Sequence, residues 1–112
     1  TAGAKPYQVI VGNLTQSGTS APTFTQFENT TGTTITTLRT TNGVYTLTSS
    51  GTPFTANKTA VFISVNGASG SIRSIFYQVT TTSVVQITTT DGFGADTDDI
   101  LNNTSIEIRI YP

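Results

Sequence analysis

The stretch TTITTLRTTNGVYTLTS, residues 33–49, decides the fold of this chain. Asn42-Gly43 at its centre is the strongest hairpin signal in the sequence, because Gly and Asn accept the backbone angles a two-residue turn requires. On either side, Thr alternates with Ile35, Leu38, Val44, Tyr45 and Leu47, and Thr33 to Arg39 and Val44 to Ser49 read as the paired strands. Threonine is β-branched and stiff at χ1, so it suits a pleated surface, and its hydroxyl keeps that surface wettable without charge.

The same composition extends outward, with threonine supplying 26 of 112 residues. Pro6 to Leu14 reads as a first strand with apolar groups on both faces, and Thr23 to Phe27 as a short strand beyond a loop of turn residues at 15–22. Asn29 to Gly32 turns the chain. Thr59 to Val65 is apolar on both faces, as a buried strand should be, and Asn66 to Gly70 forms a turn. Ser71 to Val79 and Val84 to Thr90 answer each other through Thr80 to Ser83. Ser105 to Tyr111 has the cleanest alternation, with Ile106, Ile108 and Ile110 facing in and Glu107, Arg109 and Tyr111 facing out. Seven or eight short strands, with no helical periodicity and connections too short for crossover helices, predict an all-β chain. The expected architecture is an antiparallel β-sandwich or jelly-roll-like fold. No repeat of solenoid period is present. Residues 6–112 are expected to form a single domain of ordinary size, and residues 1–5 a flexible N-terminal arm with no apolar run of a leader peptide.

The totals narrow the function. There is no His, Cys, Met or Trp, which removes His-based nucleophilic catalysis, disulfides and thiolate metal sites. Five Lys and Arg residues (Lys5, Arg39, Lys58, Arg73, Arg109) are scattered and outnumbered by six carboxylates, a poor match to a phosphate backbone or a membrane surface. No apolar run is long enough to span a bilayer. A charged fraction of 10%, well below the usual quarter, suggests that other subunits cover part of the surface.

The chemistry-bearing candidates are few. Asp91, Asp96, Asp98 and Asp99 lie along DGFGADTDD (91–99) and could offer oxygens to Ca²⁺, although the spacing lacks the Gly and Glu of an EF-hand loop. A solvated loop in which Asp98 or Asp99 caps a turn at Ile100 to Asn103 is the stronger reading. An acid–base carboxylate pair for glycoside hydrolysis would need a shaped cleft, and a Ser or Thr paired with Lys5 or Lys58 has no motif behind it. The chain is therefore expected not to be an enzyme. Asn13, Asn29, Asn57, Asn102 and Asn103 match N-x-[ST], a mild excess over chance in a chain so rich in Ser and Thr. Tyr7, Phe24, Phe27, Tyr45, Phe54, Phe93 and Tyr111 could build a sugar platform, but most stand at strand positions that suit a core equally well. Glu107 and Arg109 share one strand face and are expected to pair across the ladder.

The segments LTQSGTSAPT (14–23), FENTTGTT (27–34), GVYTLT (43–48), PFTANKTAVFI (53–63) and DDILNNTSIEIRIYP (98–112) together resemble a group of short β-rich proteins of tailed bacteriophages and prophages of Bacteroidetes-type bacteria. The resemblance implies a structural role on a virion, as capsid decoration, tail or fibre component, and no functional residues to carry over. The expected partners are further copies, a trimer being one form, and other virion proteins. The competing expectation is an extracellular carbohydrate-binding or adhesin module, assisted by Ca²⁺ in the 91–99 loop.

Overall fold

The computed structural model describes residues 6–64, 73–91 and 93–112. The expected arm at 1–5 and the turn at 66–70 lie outside the described residues. Among the described residues eight strands form: β1 Gln8–Thr15, β2 Thr23–Asn29, β3 Ile35–Thr41, β4 Val44–Ser49, β5 Thr59–Ser64, β6 Ser74–Thr81, β7 Val84–Thr90 and β8 Thr104–Ile110. They make two four-stranded antiparallel sheets, in the orders β2-β1-β8-β5 and β3-β4-β7-β6. The chain is the all-β antiparallel sandwich expected from its alternation.

Each sheet turns one face inward. From the first come Ile10, Leu14, Val61, Ile106, Ile108 and Ile110; from the second, Tyr45, Leu47, Val85 and Ile87; and Phe54 and Leu101 reach in from loops. Burying each Ile or Leu contributes about 1.5–3 kcal/mol relative to exposure. The period-2 alternation of β8 places Ile106, Ile108 and Ile110 in this core and leaves Glu107 and Arg109 on the outer face. At Gly12 a Cβ would lie 2.3 Å from the Thr25 carbonyl and 2.5 Å from the Phe24 ring, so β1 needs glycine where β2 bulges against it.

Register fixes what meets what. β3 pairs with β4 from Ile35↔Ser49 to Thr41↔Val44 around the Asn42-Gly43 turn, and Gly43 has φ +72°. β6 pairs with β7 from Ser74↔Thr90 to Thr81↔Val84. The central pairs are β4 with β7 and β1 with β8. Asn29 closes the β2–β3 turn: its Oδ1 accepts from Thr31 N at 3.0 Å and its Nδ2 donates to Thr33 O at 2.7 Å.

Four spaced strands cover roughly 20 Å across a sheet. The 45 Å dimension of the 45 × 26 × 23 Å body therefore runs along the strands, with loops at both ends. One end gathers the β1–β2 loop, the Asn42-Gly43 turn and the β7–β8 loop. The other gathers residues 50–58, the Thr82-Ser83 turn, the start of β1 and the end of β8, tied by Ser49 N to Ser83 O, Phe54 N to Thr82 O and Tyr111 N to Lys58 O.

Candidate functional site

The acidic loop ends the sandwich in a polar lock built on the Asn42-Gly43 turn. Asn42 acts as a short piece of strand: its Nδ2 donates to Asp96 O at 3.0 Å, and its Oδ1 accepts from Asp98 N at 3.1 Å. Thr89, fully buried, donates its hydroxyl to Thr97 O at 2.7 Å, and Thr97 N donates to Thr89 O at 2.9 Å. These contacts deliver the Asp98 carboxylate to four donors. Arg39 binds it through Nη2 at 2.7 Å and Nε at 3.1 and 3.2 Å, Gly43 N at 2.9 Å and the Tyr45 hydroxyl at 2.6 Å. A Cβ on Gly43 would meet Thr97 N at 2.4 Å and Thr89 O at 2.7 Å, so the turn admits no side chain against the loop.

The electrostatics follow from these partners. The Arg39 guanidinium, and then the Tyr45 hydroxyl and Gly43 N–H, hold the Asp98 carboxyl well below the usual carboxylate range against the opposing cost of burial. Burial, reinforced by the neighbouring carboxylate, pushes the Tyr45 phenol well above its ordinary value. Gln16 completes the lock. Its Nε2 donates to Gly18 O and Ser20 O at 2.8 and 3.1 Å, and its Oε1 accepts from Asp99 N at 2.8 Å, which fixes the amide's orientation. That Oε1 lies 2.9 Å from the Tyr45 oxygen, so the single phenolic proton faces two acceptors and goes to the nearer, charged one.

The four aspartates are therefore spread over separate tasks. Asp98 is an ion-pair partner. Asp99, at φ +66°, accepts from Gly18 N at 2.6 Å, across to the β1–β2 loop. Asp91 Oδ1 accepts from Phe93 N and Ala95 N at 2.8 and 3.1 Å. Asp96 bridges Thr90 through its backbone. Among the described residues no group of three or more carboxylates is placed to hold a metal ion. The expected cap on a turn at Ile100 to Asn103 also does not form, because both candidate side chains are drawn to other elements. The sequence reading missed Gln16, Asn42 and Tyr45 as parts of this lock, and the Asn-Gly turn and the acidic 91–99 loop were the two signals that touched it.

Of the seven aromatic candidates, Tyr45 and Phe54 are fully buried and Phe24 packs on the core, which removes them from any surface platform. Tyr7, Phe27, Phe93 and Tyr111 remain; Phe27 and Phe93 are exposed, and Tyr7 and Tyr111 stand together. Their ring centroids are 5.1 Å apart at 55°, and both line an open cleft of about 610 Å³ at the end opposite the lock, with Pro6, Pro53, Thr55 and Lys58. The Lys58 ammonium donates to Pro112 O at 2.9 Å. Beside the cleft, Arg109 stands 4.8 Å from the ring centres of both Tyr7 and Phe62. Its ion-pair partner is Glu107, two residues away on the same strand. The expected pairing across the ladder is replaced by this pair, because the register sets Val9 and Ala60 opposite Arg109 and Val11 and Phe62 opposite Glu107, none of them charged.

The outer face of the β3-β4-β7-β6 sheet is different again. Alternation and register place Thr36, Leu38, Val44, Thr46, Thr48, Phe76, Gln78, Val84, Gln86 and Thr88 on it, with no charged side chain. Leu38 and Phe76 are 56% and 57% exposed, one on each edge strand, far above what side chains of that size show when packed.

Fold and surfaces define an antiparallel β-sandwich with a polar lock at one end and an aromatic cleft at the other. No family model, curated protein or solved structure matches the chain.

Proposed function

We propose that this chain is a non-enzymatic structural module of a bacteriophage virion, and that it assembles with further copies through its sheet surfaces. The observation that carries the assembly is the outer face of the β3-β4-β7-β6 sheet: ten residues, none charged, with Leu38 and Phe76 standing out of it. Natural sheets that must stay single normally interrupt such a face or its edges with charge. Support for a non-catalytic role comes from the missing His and Cys and from the engagement of Asp98 by Arg39, Tyr45 and Gly43, which leaves that carboxylate a structural part. The virion setting rests on the sequence resemblance. The test is the solution mass of the purified chain by light scattering after size exclusion, beside a Leu38→Lys, Phe76→Lys double variant. A multimer whose mass falls when the two lysines are introduced, with the thermal midpoint retained, is the expected result; a monomeric parent chain overturns it.

A second reading, an extracellular sugar-binding module, is favoured by the Tyr7–Tyr111 cleft, whose rings stand beside Thr55 and Lys58 as possible partners for sugar hydroxyls. A glycan array run with and without chelator separates it from the first.

A further inference from the structure

Phe93 is 98% exposed, the most exposed large apolar side chain among the described residues. It is held out by a closed loop. Asp91 N donates to Ala95 O at 2.9 Å and Gly94 N to Asp91 O at 3.3 Å, the Asp91 carboxylate accepts from Phe93 N and Ala95 N, and Gly94 takes φ +85°. A loop so tied keeps the ring in water at a hydrophobic cost, with little ordering left to be done on binding. Around it the end of the body is acidic. Asp91, Asp96, Asp98 and Asp99 lie at this end, against Arg39, which Asp98 engages, and Arg73 just before β6.

The cleft at the opposite end carries the opposite charge and apolar walls. The cleft of about 610 Å³ is far larger than one phenyl ring, its walls include Tyr7, Tyr111, Pro6 and Pro53, and the charged side chain lining it is the Lys58 ammonium. Arg109 flanks it, shared with Glu107.

We propose that the cleft receives the Phe93 loop of a second copy of this chain, the ring entering between the tyrosines and prolines and Asp91 and Asp96 approaching Lys58. This contact rests on the self-assembly proposed above and adds a second, end-on interface to the sheet face. Donor loop and acceptor cleft lie at opposite ends of a 45 Å body, so an end-on contact joins unlike surfaces and propagates into a ring or a filament.

The experiment is the concentration-dependent mass of the full chain at low and moderate salt, for the parent, Phe93→Ser, Lys58→Glu, and Lys58→Glu combined with Asp96→Lys. Phe93→Ser and Lys58→Glu are each expected to raise the apparent dissociation constant at least about tenfold, as loss of an interface anchor does. Restoring opposite charges in the double variant should recover assembly, and salt should weaken the parent contact. Unchanged thermal midpoints exclude misfolding, as the Phe93 side chain touches no core. If both single variants keep the parent's mass while the Leu38→Lys, Phe76→Lys variant loses it, the end-on contact is overturned and the sheet-face assembly stands. A parent chain monomeric at all concentrations overturns both, and saturable binding of a soluble oligosaccharide by that monomer assigns the cleft to sugar.

Discussion

Residues 35–49 and 75–89 form two hairpins whose positions correspond at a constant offset of forty. Ile35 answers to Ile75, Thr40 to Thr80, Val44 to Val84 and Leu47 to Ile87, and the register Val44↔Thr88, Thr48↔Val84 relates the two by a local twofold axis between β4 and β7. Both hairpins bulge before a two-residue turn, at Thr40 and at Thr80. In each the bulged threonine donates its hydroxyl to the carbonyl of the first residue after the turn, Val44 at 3.1 Å and Val84 at 3.3 Å. One backbone plan thus serves twice, and the side chains make the two ends differ. Where the first hairpin has Arg39, Gly43 and Tyr45, the second has Val79, Ser83 and Val85. The first turn grips an acidic loop through an ion pair and a buried phenol; the second is held by Ser83 Oγ on Gly51 O at 2.7 Å and by backbone bonds to Ser49 and Phe54. Backbone geometry sets where a turn falls, and three side chains decide what it holds.

Exchanging the turn residues is the largest break in that comparison. Gly43→Ser forces a side chain into φ +72° and against the backbone of Thr89 and Thr97, and about 3 kcal/mol of stability should be lost. The reverse change, Ser83→Gly, meets no such geometry, because Ser83 stays outside the left-handed region, and should cost about 1–2 kcal/mol through the lost Ser83 Oγ bond to Gly51 O and added unfolded-state freedom. Denaturant midpoints at constant m-value measure both; equal losses would mean that the two turns carry the same load.

The next break is at the carboxylate. Asp98→Asn keeps the shape but removes the charge that Arg39, Tyr45 and Gly43 address, and a loss of about 2–3 kcal/mol at pH 7 is expected. The pH dependence carries the signature. The folded carboxyl lies below its unfolded value, mainly because of Arg39, so its stabilisation is complete above about pH 5 and disappears as pH falls toward the depressed folded value. Unfolding followed from pH 6 to pH 2 should show a steeper acid loss in the parent than in Asp98→Asn, and parallel curves would place the acid sensitivity elsewhere.

These two breaks also mark how far the sequence was legible. All eight strands stand close to where alternation and turn residues place them, because side-chain period and turn chemistry act over a few neighbouring residues. Ile106, Ile108 and Ile110 are buried as their spacing dictates. The lock was not legible: Arg39 and Asp98 are 59 positions apart and Gln16 and Asp99 are 83 apart, so strand order between the sheets determines which of them meet. Read locally, 91–99 is an acidic loop and a candidate Ca²⁺ site. Folded, it divides into one ion pair, two loop braces and a backbone bridge. Phe54 and Phe93 make the same point, since both sit in polar loop sequence and one is fully buried while the other is almost fully in water.

The smallest break sharpens the comparison most. Tyr45→Phe leaves the ring in the core and takes away only the hydroxyl, bringing the first hairpin one step closer to the apolar Val85 of the second. Asp98 then keeps Arg39 and Gly43 N, and Gln16 Oε1 keeps Asp99 N, so no buried group is left without a partner. The cost should be about 1.5 kcal/mol, the low end for a hydrogen bond to a charged acceptor, since Arg39 and Gly43 N stay on the carboxylate. The phenol's raised pKa adds a second test on the alkaline side. A group that burial keeps neutral stabilises the fold fully below its unfolded value near pH 10, and that contribution is lost as pH rises above it. Thermal midpoints from pH 7 to pH 11 should therefore fall more steeply in the parent than in Tyr45→Phe. Curves that stay parallel would mean that the lock opens before the phenol ionises, and that the first hairpin grips its loop through Arg39 and Gly43 alone.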